Sequence, residues 1–317
     1  MTVTCSELLD EFISDICYYR GLSPATQKCY RYALHNFYNW LAPRQIKVLD
    51  VSIDLMTLYI RDRAKALKTA THNLQITILR QFYRWCMVEK HAAFDPTIRL
   101  VFAKQSSRSI TPLSEHEIDL LLASPDIKTR DGIRDRAMLE ILYATGIRCS
   151  ELIDFTLYSV LRKERALLIV GKGRKERAVI FAESAGQWLD RYLTVARPQY
   201  WNARASHQLF LMADRRVMTA AIFRKIFKVM IQNAGITKPA TPHTIRHSFA
   251  THMMNHGADI RAIQLFLGHE DITTTAIYTY VARDHLKEVV RLHHPRGGDY
   301  QPIQRLQNNP AQKRWAF

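Results

Sequence analysis

The sequence predicts a mainly α protein in two parts: a small all-α N-terminal domain and a larger α-rich domain holding a small antiparallel β-sheet. Three observations carry this. Apolar residues recur three and four apart through most of the 317 residues, the spacing of helices that bury one stripe. A single pair of short β-prone runs stands out, Leu167 to Val170 and Ala178 to Phe181, on either side of a Gly-rich basic loop. A polar, serine-rich stretch, KQSSRSITP at 104–112, interrupts the pattern and has the composition of a linker. The length itself suggests about two domains, each large enough for its own core.

In the first hundred residues, Leu8, Leu9, Phe12, Ile13 and Ile16 form a helical stripe that Gly21 ends. Ser23 then caps a second helix with Pro24 at its first position. Its stripe includes Tyr30, Leu34, Phe37, Tyr38 and Leu41. A third helix covers Ile53 to Ala66, and a fourth runs from about Thr69 to Glu89 through Leu74, Ile78, Phe82 and Trp85. Aromatics on these stripes read as core rather than as platforms for stacking bases. Beyond the linker, Ser114 and Glu117 make a capping-box pattern ahead of Ile118, Leu120, Leu121 and Leu122. The next helix runs from near Ile133 to Ala144 and stops at Gly146, leaving Arg148 just beyond. After the two strands the pattern is helical to about Arg291. Within that region Thr241-Pro242 opens a helix that ends at Gly257, with Ile245, Phe249 and Met253 as its buried stripe. A helix from near Asp259 is closed by Gly268, and a further one carries Tyr278. Residues 297–317 have little periodicity and read as a tail. The expected divisions are therefore 1–103, a linker at 104–112, 113–296, and the tail.

The charge narrows the function. Basic residues exceed acids by 16, by 4 in residues 1–103 and by 12 in residues 104–317. Such a surplus favours a polyanion, because neutralising phosphates releases condensed counterions. Lys28, Arg31, Arg80 and Arg84 in the first domain, and Arg174 and Lys175 in the Gly-rich loop, are candidates to face those phosphates. The five cysteines are odd in number, without CxxC spacing or a disulfide ladder, which fits a reducing compartment. No leader-like or membrane-spanning run is evident, so a cytoplasmic protein without a membrane partner is expected.

Six residues carry the chemistry. The stretch TPHTIRHSFATHMMNHGADIRAIQLFLGHEDITTTAIYTY, residues 241–280, holds His243, Arg246, His269 and Tyr278 in order. Arg148 in ATGIRCSEL and Lys172 in GKGRKER complete the set. Cations to hold a phosphodiester, an acid for a leaving oxygen and a hydroxyl to attack phosphorus are all represented. A tyrosine hydroxyl of pKa near 10 needs a base and a positive field to act at neutral pH. Two rival site readings are weaker. His243 and His247, and His252 and His256, are each four apart, but HExxH and a cysteine cluster are lacking. Gly171-Lys172-Gly173 lacks Walker spacing and does not open a helix.

The segments ATGIRCSEL, GKGRKER, HTIRHSFATHMMNHGADIRAIQLFLGH and TTTAIYTYV resemble the tyrosine recombinase, or phage-integrase-like, family, and most closely its Xer-type bacterial members. LSPATQKCYRYAL resembles the first-domain signature and HLKEVVRLHHPR the closing helix, so the resemblance spans roughly residues 5–296. It implies an N-terminal DNA-binding domain of core-binding, SAM-like type and a catalytic domain that cuts and rejoins DNA. By position, it implies Tyr278 as nucleophile giving a 3′-phosphotyrosyl link, with Tyr280 as the rival tyrosine. Arg148 and Arg246 would grip the non-bridging oxygens, Lys172 would protonate the departing 5′-oxygen, His243 would take the tyrosine proton and His269 would hydrogen-bond the phosphate. Glu151 would orient the site. No cofactor, metal or ATP is implied. The implied partners are a double-stranded recombination site and three further protomers, identical or of a related recombinase, acting through a Holliday junction. In that picture HLKEVVRLHHPR would dock into a neighbouring protomer through Leu286, Val289, Val290 and Leu292. The same residues leave room for a mobile-element integrase or resolvase, a type IB topoisomerase-like enzyme, or a DNA-binding regulator without activity. The inserted segment typical of integron integrases is not found.

Overall fold

The computed structural model describes residues 5–104, 111–170, 176–200, 206–214, 217–268 and 280–297. The chain divides into two compact units, Met1–Arg108 and Ser109–Phe317. Each has its own apolar core.

Among the described residues the first unit contains four α-helices, α1 (Cys5–Arg20), α2 (Pro24–Leu41), α3 (Ile53–Ala66) and α4 (Thr69–Val88). Local chemistry sets their ends. Gly21 takes φ +55° after α1, Ser23 accepts the Thr26 N–H at the start of α2, and Ser52 does the same for Leu55 in α3. Phe12, Phe37, Tyr59, Phe82 and Tyr83 fill the core. Two expected stripe residues lie outside it: Tyr38 of α2 and Leu74 of α4 are exposed. Ala33 and Ile76 occupy the inward positions instead, because the packed stripe is narrower than the run of apolar residues.

The second unit contains α5 (Glu115–Ala123), α6 (Arg130–Thr145), α7 (Cys149–Asp154), α8 (Glu183–Arg191), α9 (Ala220–Asn233), α10 (Pro242–Asn255), α11 (Ile260–Leu267) and α12 (Tyr280–His293). The expected capping box is present, with the Glu117 N–H donating to Ser114 and the Ser114 N–H to the Glu117 carboxylate. Helix α6 is buried on nearly all sides and packs against α5, α8 and α10, and its buried charges Arg134 and Glu140 are paired with Asp135 and Arg136.

Among the described residues three strands, β1 (Val160–Leu161), β2 (Ala166–Val170) and β3 (Glu176–Ile180), form one antiparallel sheet in the order β1-β2-β3. The β2–β3 register pairs Leu167 with Val179 and Ile169 with Arg177. Strand β1 is additional to the two expected from sequence; two residues are too few for an alternation to register. Residues 171–175, between β2 and β3 in sequence, lie outside the described residues, as do 269–279 and most of the tail.

Gly146 ends α6 in the left-handed region at φ +60°, and a Cβ there would fall 2.4 Å from Phe249 Cδ1 and 3.1 Å from Leu267 Cδ2. The residue thus allows α6, α10 and α11 to meet. Gly146→Ala is expected to cost about 2–4 kcal/mol of stability, from backbone strain plus overpacking. Urea denaturation of the full chain measures this; a cost under about 0.5 kcal/mol would show that α10 can yield at Phe249.

Helix α12 packs on β3. Leu286, Val289 and Val290 are buried in the chain's own core, whereas Leu292 is 55% exposed. The expected docking of this apolar stripe into a neighbour is therefore replaced here by packing within the chain. Beyond α12 the HHPR segment is anchored. The Arg296 N–H donates to His294 Nδ1 at 3.0 Å, so His294 Nε2 carries the proton and donates to the Tyr143 carbonyl at 3.2 Å. The Arg296 guanidinium reaches Glu140 and Asp119.

Burial pushes the His294 imidazole down to about 4; the Tyr143 carbonyl opposes this, while Arg296, His252 and His256 add to it. The folded value lies below the unfolded one, so the unfolded chain takes up the proton first. This stability is fully present above about pH 6.5 and is lost as pH falls toward 4, by about 3 kcal/mol at most. The stability gap between wild type and His294→Gln should shrink across that window in urea titrations. A gap independent of pH would contradict the burial of a neutral ring.

Among the described residues, no helix is long and apolar enough to cross a membrane. Cys17, Cys29 and Cys149 are free thiols.

Candidate functional site

The site is assembled where α6, α7, α10, α11 and β3 meet. Gly146 turns the chain out of α6, and Arg148 becomes the N-cap of α7. The Arg148 backbone N–H donates to Glu151 Oε2 at 2.8 Å, and its Nη1 donates to Glu151 Oε1 at 3.1 Å. Glu151 therefore closes the first turn of α7 and holds the Arg148 side chain at once. That side chain remains about half exposed, so the guanidinium keeps donors available to a ligand.

Arg246 comes from α10, whose start is set by Thr241 and Pro242. It is buried, and among the described residues its guanidinium is held by main-chain carbonyls: Nη1 donates to Gly146 O at 2.9 Å and Nη2 to Leu267 O at 2.7 Å. These acceptors lie two residues before Arg148 and two before His269. One side chain thereby fixes the approaches to two other candidate residues. Burial lowers the Arg246 pKa to about 10; the charges of Arg148 and then Arg177 push the same way, with Glu151 opposing. It stays cationic at neutral pH. The field of neighbouring arginines is thus concentrated at one place, which suits a bound phosphate.

Burial disfavours the Glu151 carboxylate, but the Arg148 N–H and the guanidinium groups of Arg177 and Arg148 outweigh it and hold the acid below its usual range. Arg177 Nη2 donates to Glu151 Oε1 at 2.9 Å. This arginine was not among the sequence candidates. Its signal lay in the strand alternation: two residues before Val179, it shares that residue's face of β3, opposite Ile169.

Of the sequence candidates, the structure brings together Arg148, Glu151 and Arg246. His243 lies one residue inside α10 and is exposed. Lys172, His269, Tyr278, Arg174 and Lys175 lie outside the described residues. Of the histidines with metal-like spacing, His252 Nδ1 faces the Tyr143 hydroxyl at 2.9 Å and His256 Nε2 faces Glu115 at 2.9 Å. In the first unit Lys28 and Arg84 are exposed. Arg31 pairs with Asp10, and Arg80 donates to the Leu100 carbonyl and lies over the Phe102 ring.

Comparison with known proteins gives the family. The model of the phage integrase family matches residues 111–285, and that of the phage integrase N-terminal SAM-like domain matches residues 9–90. The tyrosine recombinase XerD of Pseudomonas putida is 40% identical over 291 residues, covering 92% of this chain and 98% of the relative. The XerD of Ralstonia nicotianae is 40% identical over 294 residues, covering 92% and 95%. Among solved structures, a lambda integrase tetramer bound to a Holliday junction aligns with a TM-score of 0.64 at 17% identity, over 86% of this chain and 79% of that one. XerH site-specific recombinase bound to difH substrate aligns with a TM-score of 0.64 at 20% identity, over 82% and 78%. At these identities the two structures bear on the fold alone.

Proposed function

The chain belongs to the phage integrase family, as an Xer-type site-specific tyrosine recombinase, and from that premise we propose how its own residues cut and rejoin DNA. Tyr278 attacks a backbone phosphorus; its phenolic oxygen forms a new ester to the 3′-phosphate as the bond to the 5′-oxygen breaks. His243 takes the phenolic proton and Lys172 gives one to the departing oxygen. Arg148 and Arg246 hold the non-bridging oxygens, where a planar fork matches a phosphate better than an ammonium does. Charge spread over those oxygens in the transition state meets fixed cations, worth several kcal/mol in a site that need not reorganise. His269 adds a hydrogen bond. The ester energy is retained in the phosphotyrosine, so a second 5′-hydroxyl can reverse the step without ATP, and the cations stand in for a metal.

The observation that carries this reading is Arg246, a buried guanidinium on two carbonyls beside Arg148 and Glu151. A charge of that kind is costly to bury for stability alone. The reading extends to four protomers on two duplex sites, exchanging strands through a Holliday junction in the cytoplasm. Integration or resolution of a mobile element by the same chemistry is the second reading.

The test is a nicked duplex that loses its 5′-hydroxyl fragment on cleavage, carrying the sequence that the full chain selects from a randomised pool. A covalent protein–DNA species should accumulate in EDTA without nucleotide. Its absence on every selected duplex would overturn the assignment.

A further inference from the structure

Arg177 has no role in the mechanism above, yet it joins three of the elements that build the site. It stands on β3, five residues after Lys172. Its Nη2 donates to Glu151 Oε1 at 2.9 Å, the oxygen that Arg148 Nη1 also reaches at 3.1 Å. Both groups of this ion pair are largely shielded from solvent. Its guanidinium also lies against the backbone of Gly268, the left-handed cap of α11 at φ +62°. A Cβ at position 268 would fall 2.7 Å from Arg177 Cζ and 2.8 Å from Nε. That face of Arg177 is closed by the glycine, and its Nε is buried without an acceptor among the described residues.

We infer that Arg177 is a positioning residue for strand transfer, acting through Glu151 on Arg148 and seated against the Gly268 turn that leads into His269. This rests on the functional reading above. Glu151 has one negative charge to share between two guanidinium groups. With Arg177 present, Oε1 is drawn from both sides, so the carboxylate is pinned while Arg148 is only partly neutralised. Without Arg177, Glu151 turns toward Arg148 alone, compensates its charge more fully and swings it away from the phosphate. Lysine keeps the charge but not the flat fork that fits between Glu151 and a bare backbone turn.

The experiment is a double-mutant cycle on the full chain, with the selected nicked duplex as probe. It reads the single-turnover rate of adduct formation at saturating protein, beside affinity for the intact duplex. Arg177→Gln and Glu151→Gln should each slow adduct formation by about 10- to 100-fold, the range for residues that hold reacting groups in place. Affinity should stay within about threefold for both, since phosphate contacts elsewhere supply most of it. Arg177→Lys should recover part of the loss. In the Glu151→Gln background Arg177→Gln should cost less than about threefold, the mark of residues acting in one chain of contacts.

Penalties that multiply would overturn the proposal by showing that Arg177 acts independently of Glu151. So would an Arg177→Gln rate equal to wild type. Should Arg177→Gln fail to fold, Arg177→Lys takes its place in the cycle, and a multiplying penalty or a wild-type rate overturns the proposal there too. A wild-type chain that forms no adduct removes the functional reading itself; a normal wild type with a multiplicative cycle removes only this inference.

Discussion

Tyr278→Phe is expected to abolish the covalent protein–DNA adduct, lowering its rate by ~10⁴-fold or more, while leaving duplex affinity within about twofold. The substitution removes a single oxygen and no charge, so the contacts that hold the phosphate backbone are untouched. Tyr280 opens α12 two residues later, and Tyr280→Phe should leave adduct formation within about threefold, since a ring two positions away is not the reacting group. Gel separation under denaturing conditions resolves the two variants. An adduct that persists in Tyr278→Phe moves the nucleophile elsewhere, to Tyr280 first.

Arg246→Met has the second largest expected effect, and it is twofold. Adduct formation should fall by about 10³-fold, the usual consequence of deleting a fixed cation or donor aimed at developing charge. Stability should fall as well, by about 2–3 kcal/mol, because Gly146 O and Leu267 O lose their donors in a buried place. Arg246→Lys separates the two contributions: the charge remains, but one ammonium cannot serve two carbonyls and a phosphate with a fork's geometry. It should retain more stability than methionine and still lose about 10²-fold in rate. An Arg246→Met chain that cleaves within tenfold of wild type would show that the buried guanidinium is only a structural brace.

Much of the fold was legible because its boundaries are written in single residues. Ser23-Pro24, the Ser114–Glu117 box, Asp259 and Gly268 each satisfy or terminate a helix locally, so no tertiary knowledge was needed to find them. Tyr38 and Leu74 misled because periodicity marks which residues could be buried, and packing decides how wide the buried stripe becomes. The two-residue β1 was beyond any periodic signal.

At the site, residue types and their order pointed to Arg148 and Arg246, the family resemblance added Glu151, and the structure brings these three together. What sequence left open was the means of support. The carbonyls that hold Arg246 come from 100 and 21 residues away, a relation fixed only when α6, α10 and α11 pack. Arg177 was hidden among the cations of GKGRKER, and its place opposite Ile169 is fixed only when β2 and β3 pair. The burial of Leu286, Val289 and Val290 beneath their own chain likewise depends on β3 lying under α12.

The central claim is that one tyrosine becomes esterified to the 3′-phosphate. Tryptic digestion of the trapped adduct should yield the peptide spanning Ala262 to Arg283, which contains both Tyr278 and Tyr280. Fragmentation of that peptide should place the nucleotide mass on Tyr278, with Tyr280 unmodified. Nucleotide mass on Tyr280, or on any peptide outside this one, would contradict the account.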